Sequence, residues 1–130
     1  MELCEERDLH DYIFEDSEPV IPESKVRQVL FEILSAMHFL HSNQILHRDV
    51  KPANIFLTAD GHCKVGDYGL AKHYKLSAGM RATTTQNACT QQYQSLERTR
   101  GIPFAAEDPN LYKSDIWYVG LIGLKMLTKV

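Results

Sequence analysis

Residues 47–54 have the sequence HRDVKPAN, and Asp67-Tyr68-Gly69 begins thirteen residues beyond Asn54. Between them lie two β-prone runs, NIFLT and HCKVG, joined by Ala59-Asp60-Gly61. Proline and the polar run forbid a helix through the first segment, and the short linker between two β-prone runs predicts a hairpin. The charged and polar residues able to perform chemistry are therefore concentrated in one loop and the hairpin that follows it.

Two helices are predicted on either side of this region. Residues 22–42 place apolar residues at steps of three and four, which is the pattern of an amphipathic helix. These residues are Val26, Val29, Leu30, Ile33, Leu34, Met37 and Leu40. Residues 113–128 are apolar on nearly every side, which predicts a helix buried all round, whereas residues 76–97 are polar and aperiodic and predict a long loop. The predicted fold class is α+β, mostly helical, with a small β-hairpin.

Composition excludes several classes of protein. A chain of 130 residues with 44% hydrophobic and 24% charged residues is sufficient for one globular core. The net charge of −3 without a basic stripe argues against nucleic-acid binding. Three widely spaced cysteines without a CxxC pair fit neither a disulfide framework nor a zinc site, and the acidic N-terminus is not a secretory leader. The longest apolar stretch, residues 117–124, is far short of the ~20 residues of a membrane span. We therefore expect an intracellular protein, cytoplasmic in the first instance, with nucleus or cytoskeleton left open.

The two motifs resemble those of the protein kinases. HRDVKPAN is similar to the kinase catalytic loop, and Asp67-Tyr68-Gly69 to the magnesium-binding DFG, with Tyr68 in place of phenylalanine. The resemblance implies ATP and Mg²⁺ as cofactors, a protein substrate with Ser or Thr, and the large lobe of the kinase fold. It makes Asp49 the base, Lys51 the cation beside the transferred phosphoryl group, and Asn54 and Asp67 the metal ligands. A lysine at position 51 is typical of the serine/threonine branch.

The resemblance extends in register across most of the chain. It implies a hinge over residues 1–8, helices D and E over 9–42, the catalytic loop over 45–54, the metal-binding hairpin over 54–69, the activation segment over 67–97 and the central helix over 114–130. Glu2 and Cys4 would face adenine through their backbones, and Phe56 would form the floor of that pocket.

Four further residues are expected to position the site. By the same resemblance, His47 and Arg48 order the catalytic loop, and Thr90 contacts Asp49 and Lys51. Asp115 would hydrogen-bond the catalytic-loop backbone.

Within the kinases, this chain is most similar to the NIMA-related group. The similarity is carried by the stretches MELCEERDL, NIFLTADG and VGDYGLAK. The sequence departs from the family pattern at Leu96, where proline is usual, and it contains no glycine-rich loop, no VAIK lysine and no later helices of the large lobe. We expect little activity from such a piece alone. A catalytically inactive kinase-like module that serves as a protein-binding scaffold, or that needs a partner to supply the small lobe, is therefore the alternative.

Two local alternatives also stay open. Thr83, Thr84 and Thr85 are candidate phosphorylation sites that could pair with Arg48, or they belong to a solvated loop. His38, His41 and His47 could suggest zinc, but no fourth ligand is evident. His41 is expected to pack at the end of its helix.

Overall fold

Two long helices and a small hairpin dominate the part of the chain that the structure describes. The structure is a computed structural model, and it describes residues 7–17, 19–66 and 112–130, together with the backbone of residues 72–73. The helices are α1 (Leu9–Phe14), α2 (Glu23–Ser42) and α3 (Lys113–Thr128). The strands are β1 (Ile45–Leu46), β2 (Ile55–Leu57), β3 (Cys63–Val65) and β4 (Lys72–His73).

Helix α2 confirms the amphipathic pattern. Its buried residues are Val26, Val29, Ile33, Met37 and Leu40. Leu30 is partly buried against the same core, but Leu34 is 42% exposed. The prediction that Leu34 belongs to the buried face is wrong. Residues 30 and 34 lie at the margin of the buried stripe of α2, and a step of four residues along the helix turns the side chain away from the core. Asn43 caps the helix, and Gln44, with a φ of 59°, turns the chain into β1.

Helix α3 packs antiparallel against α2. His41, near the end of α2, contacts Asp115 near the start of α3, and Leu30 lies beside Gly123. A Cβ atom on Gly123 would lie 3.1 Å from Leu30 Cδ1, so the glycine allows the close approach of the two helices. Burial on all sides of α3 is not found: its exposed large apolar residues are Ile116, Trp117, Leu124 and Leu127. The buried ones are Tyr118, Val119, Ile122 and Met126.

The predicted hairpin is present as the antiparallel pair β2–β3. Phe56 pairs with Lys64, and Leu57 pairs with Cys63. Gly61 occupies the turn with a φ of 86°, which only glycine adopts without a steric cost. A second antiparallel pair joins β1 to β4, with Ile45 opposite His73. Strand β4 was not predicted from the sequence.

Helix α1 covers the other face of the hairpin. Asp8 begins the helix as its N-cap, because its side-chain oxygen accepts a hydrogen bond from the Asp11 amide at 2.9 Å. Asp8 also forms a β-bridge with Phe56. Leu9 and Ile13 are fully buried, so one short helix seals the core behind β2. Among the described residues, no helix has the length and apolar character required to cross a membrane.

Candidate active site

The segment HRDVKPAN connects β1 to β2 and folds back on itself at its end. Residues Pro52–Asn54 form a single 3-10 turn, with proline at its first position. Proline suits this position because its φ is already fixed near the helical value and no backbone N–H is needed there. The Asn54 amide donates to the Lys51 carbonyl at 2.9 Å, which closes the turn. The turn therefore brings the Asn54 side chain back toward Asp49.

Asp49, Lys51 and Asn54 converge on one carboxylate. Asn54 Nδ2 donates to Asp49 Oδ2 at 3.0 Å and to the Asp49 backbone carbonyl at 2.7 Å. Lys51 Nζ lies 3.4 Å from the same Oδ2 atom. Asp49 is 8% exposed, so these two donors act where solvent screens little. The three predicted residues thus form one polar cluster with a fixed carboxylate at its centre.

Asp115 holds the backbone that leads into this cluster. Its Oδ2 accepts from the His47 amide at 2.9 Å, and its Oδ1 accepts from the Arg48 amide at 3.0 Å. His41 Nε2 lies 2.8 Å from Oδ2, and the Tyr112 ring lies 4.8 Å from the His41 ring. Asp115 is fully buried, so a carboxylate in that place needs these donors. Helix α3 is therefore joined directly to residues 47 and 48.

The His47 side chain joins the segment to the end of the hairpin. The Asp49 amide donates to His47 Nδ1 at 3.2 Å, so Nδ1 is an acceptor, and Nε2 must carry the proton that is donated to the Gly66 carbonyl at 3.0 Å. The ring is thereby assigned as the neutral Nε2–H tautomer. Gly66 in turn donates its amide to the Asn54 carbonyl at 2.8 Å. The open end of the hairpin is thus bonded to the segment that carries Asp49.

Arg48 adopts a left-handed backbone conformation, with a φ of 75°. This conformation costs a non-glycine residue about 1–2 kcal/mol. Its amide hydrogen bond to Asp115 helps to maintain it, and the side chain is 3% exposed. Arg48 is thus a strained backbone position within the segment that carries Asp49.

The ring of Phe56 packs against Gly66. A Cβ atom on Gly66 would lie 2.6 Å from Phe56 Cε2, which is closer than real Cβ contacts allow. Position 66 therefore requires glycine. Phe56 was among the predicted site residues and Gly66 was not, although a glycine immediately before Asp67 was the available signal.

A second polar cluster anchors the far end of the hairpin to α2. Glu32 accepts from His62 Nδ1 at 2.6 Å, from the Cys63 amide at 2.7 Å and from Gln28 Nε2 at 3.2 Å. Burial alone would raise the pKa of Glu32, but these hydrogen bonds outweigh it and lower the pKa to about 2. The bond to Glu32 raises the pKa of His62, and burial raises the pKa of the Cys63 thiol to about 12. The carboxylate thus fixes the hairpin from outside the candidate site.

Several predicted site residues lie outside the described residues. They are Glu2, Cys4, Asp67, Thr83, Thr84, Thr85 and Thr90. The zinc alternative gains no support within the described part of the chain, because His38, His41 and His47 do not form a group there that could share an ion. His41 contacts Asp115 at the end of α2.

Comparison with known proteins defines the class of this site. A family model described as "Protein kinase domain" matches residues 1–130. The chain therefore belongs to the protein kinase family.

The curated relatives narrow this assignment. The chain is 38% identical to the serine/threonine-protein kinase Nek9 of Mus musculus over 128 residues, which is 98% of the chain and 12% of Nek9. It is 35% identical to the serine/threonine-protein kinase Nek4 of the same species, over 98% of the chain and 15% of that protein. The serine/threonine-protein kinase SSN3 of Candida glabrata is 34% identical over 95% of the chain and 22% of its own length. The resemblance to NIMA-related serine/threonine kinases is confirmed, and the chain spans less than a quarter of each of these three relatives.

Proposed function

We propose that this chain provides the catalytic residues of a serine/threonine protein kinase, which transfers the γ-phosphoryl group of ATP to a Ser or Thr hydroxyl of a protein. The observation that carries the proposal is the convergence of Lys51 and Asn54 on the Asp49 carboxylate. Phosphoryl transfer needs a fixed base and nearby positive charge more than covalent chemistry. A buried carboxylate oriented by an amide and an ammonium has both properties.

In the proposed reaction, Asp49 accepts the proton of the substrate hydroxyl. The hydroxyl oxygen forms a bond to the γ-phosphorus, the bond from that phosphorus to the β–γ bridging oxygen breaks, and ADP leaves with the bond's electrons. Lys51 is proposed to stabilise the charge on the transferred phosphoryl oxygens. Its half-buried ammonium, 3.4 Å from Asp49, is already close to the base.

Asn54 and Asp67 are the proposed Mg²⁺ ligands. Both described side-chain hydrogen bonds of Asn54 use Nδ2, and no described contact engages its Oδ1, which is the hard oxygen donor that Mg²⁺ prefers. The Gly66 amide bonds to the Asn54 carbonyl, and Asp67 follows Gly66 in the sequence. The residues present therefore fit the ion, which would neutralise phosphate charge when bound.

Other assignments rest on the family resemblance. Residues 1–8 are proposed as the hinge, with the backbones of Glu2 and Cys4 toward adenine and Phe56 beneath it. Residues 67–97 are proposed as the activation segment, and the described elements as part of the large lobe. Phosphorylation at Thr83, Thr84 or Thr85 would add negative charge to that segment, and Thr90 would contact the base. An intracellular location and protein substrates follow from the same proposal.

A specific observation favours the alternative of a protein-binding scaffold. Trp117, Leu124 and Leu127 are 43%, 57% and 60% exposed on α3. Large exposed apolar residues are typical of surfaces that a partner covers. The intact cluster around Asp49 favours the kinase over the scaffold.

The test is phosphorylation of a generic basic protein by the purified protein, with Asp49→Asn as the variant. Loss of a general base should lower the rate by about a hundredfold or more. Asp60→Asn, the same change on the exposed hairpin turn, is the control and should keep the activity. Equal rates for Asp49→Asn and the parent protein would refute the role of Asp49.

Mg²⁺-dependent ATP binding, measured by calorimetry, separates the two functions. Asp67→Asn should weaken it and Asp60→Asn should not. A protein that is folded by circular dichroism but binds no ATP would favour the scaffold.

A further inference from the structure

A cavity of about 450 Å³ lies away from the Asp49 cluster, between α1, the start of α2 and the turn of the hairpin. Its walls are Arg7, Tyr12, Asp16, Lys25, Leu57 and the turn residues Thr58, Ala59 and Gly61. This volume lies in the range of sites that bind small ligands or side chains of a partner, roughly 300–1,000 Å³. The kinase assignments leave this cavity without a role.

The turn wall of the cavity is anchored to α2. The Gly61 carbonyl accepts hydrogen bonds from Lys25 Nζ and, at 3.1 Å, from Gln28 Nε2. Two donors from successive turns of one helix hold this carbonyl, and Glu32 holds the neighbouring residues His62 and Cys63. A pocket with such fixed walls is preorganised, which reduces the entropy lost when a ligand binds.

Charge in the cavity favours an anion. Two cations, Arg7 and Lys25, line it against one carboxylate, Asp16, which is 3.4 Å from Arg7. Within the described residues, the ammonium of Lys25 has no carboxylate partner at salt-bridge distance, and its hydrogen bond goes to a neutral carbonyl. Lys129 Nζ donates to the backbone carbonyl of Asp16, a lining residue, at 3.4 Å. A half-buried ammonium without a countercharge attracts a carboxylate strongly, because solvent screens it only in part.

Apolar surface lies beside these cations. The ring of Tyr12 forms one wall, with the Arg7 guanidinium 5.5 Å from its centroid, and Leu57 and Ala59 form another. The ligand that matches both surfaces carries a carboxylate next to an apolar side chain. We propose that this cavity is an accessory docking site for a short acidic–apolar segment of a partner protein, with its carboxylate at Lys25 and its apolar side chain against Tyr12 and Leu57.

This docking site does not depend on phosphoryl transfer, so the two proposals can fail separately. The probe is a fluorescein-labelled peptide with two adjacent aspartates followed by leucine and phenylalanine, titrated with the purified protein and followed by anisotropy. Lys25→Glu should weaken binding at least tenfold. Lys113→Glu, the same charge change on an exposed residue at the start of α3, should leave it within about twofold.

A second variant protects the test against misfolding. Ala59→Trp fills the cavity from an exposed turn position, so it should abolish binding while circular dichroism and phosphorylation of the generic protein stay unchanged. A peptide with both aspartates replaced by asparagines should bind at least tenfold more weakly than the acidic one.

Three results would overturn the proposal: no binding by the folded parent protein, equal weakening by Lys25→Glu and Lys113→Glu, or equal binding of the acidic and amide peptides. If the peptide binds as expected while the protein phosphorylates nothing, the docking site stands and the kinase activity fails. If the protein phosphorylates the generic protein but does not bind the peptide, the kinase activity stands and the docking site is refuted.

Discussion

Replacing Asp115 by asparagine is expected to lower the free energy of unfolding by about 3–5 kcal/mol. The carboxylate accepts three hydrogen bonds, from the amides of His47 and Arg48 and from His41. An asparagine can keep its oxygen toward His47 and His41, but its NH₂ group then faces the Arg48 amide, which loses its acceptor. One unsatisfied buried N–H costs about 1–3 kcal/mol, and each remaining bond loses about 1 kcal/mol when its acceptor is no longer charged.

The measurement is urea unfolding of the parent protein, Asp115→Asn and the control Asp60→Asn, which changes an exposed carboxylate. A loss of this size is large against the roughly 5–15 kcal/mol that stabilises a typical domain. His41→Ala removes only one of the three donors and should cost about 1–2 kcal/mol. The two changes should not add, because both residues act on the same carboxylate. If Asp115→Asn were as stable as Asp60→Asn, the buried carboxylate would not be holding the backbone of residues 47 and 48.

Three further predictions concern the hairpin and α3. The pKa of His62 is raised above 6.5, so its ion pair with Glu32 stabilises the fold fully below pH 6.5, and this stabilisation is lost as the pH rises through the raised pKa. The pKa of Glu32 is lowered from 4.5 to about 2, so the stabilisation from the Glu32 carboxylate is lost only as the pH falls from 4.5 toward about 2. Thermal unfolding of His62→Gln should thus match the parent more closely at about pH 8.5 than at about pH 5.5, and an equal difference at both pH values would contradict the pairing. Gly66→Ala should destabilise the protein by about 1–3 kcal/mol because the new methyl group overlaps the Phe56 ring, and urea unfolding that shows no loss would contradict that contact. Gly120→Ala should stabilise it by up to about 1 kcal/mol, since a Cβ there meets nothing within 4 Å and alanine is the better helix former; a lower unfolding midpoint would show that α3 does not present position 120 to open space.

The local patterns of the sequence predict the elements well where the signal is periodic. The repeat in residues 22–42 predicts α2 and its buried stripe, and two β-prone runs around Gly61 predict β2–β3. Failures occur where a distant segment decides the outcome. The exposed side of α3 depends on which elements pack around that helix, and β4 exists only through its pairing with β1. Neither relation has a signature within a short stretch of chain.

The candidate site also contains residues that the sequence predicted and one that it did not. The resemblance of HRDVKPAN to the kinase catalytic loop predicted Asp49, Lys51 and Asn54 as a set, and the structure brings them together on one carboxylate. Their roles in catalysis stay predictions. Gly66 was missed, because the steric reason for a glycine there, the ring of Phe56 on the opposite strand, is seen only in the structure.

Different hydrogen bonds hold the two ends of the hairpin β2–β3, and both sets help to fix the geometry of the candidate site. At the turn, Glu32 accepts from His62 and the Cys63 amide. At the other end, Gly66 bonds to His47 and to the Asn54 carbonyl. A strand of three residues spans only about 10 Å, so neither end can shift without moving the other. Loosening the turn should therefore disturb Asn54 relative to Asp49. The stability of the outer anchor is in this way part of what positions the candidate site.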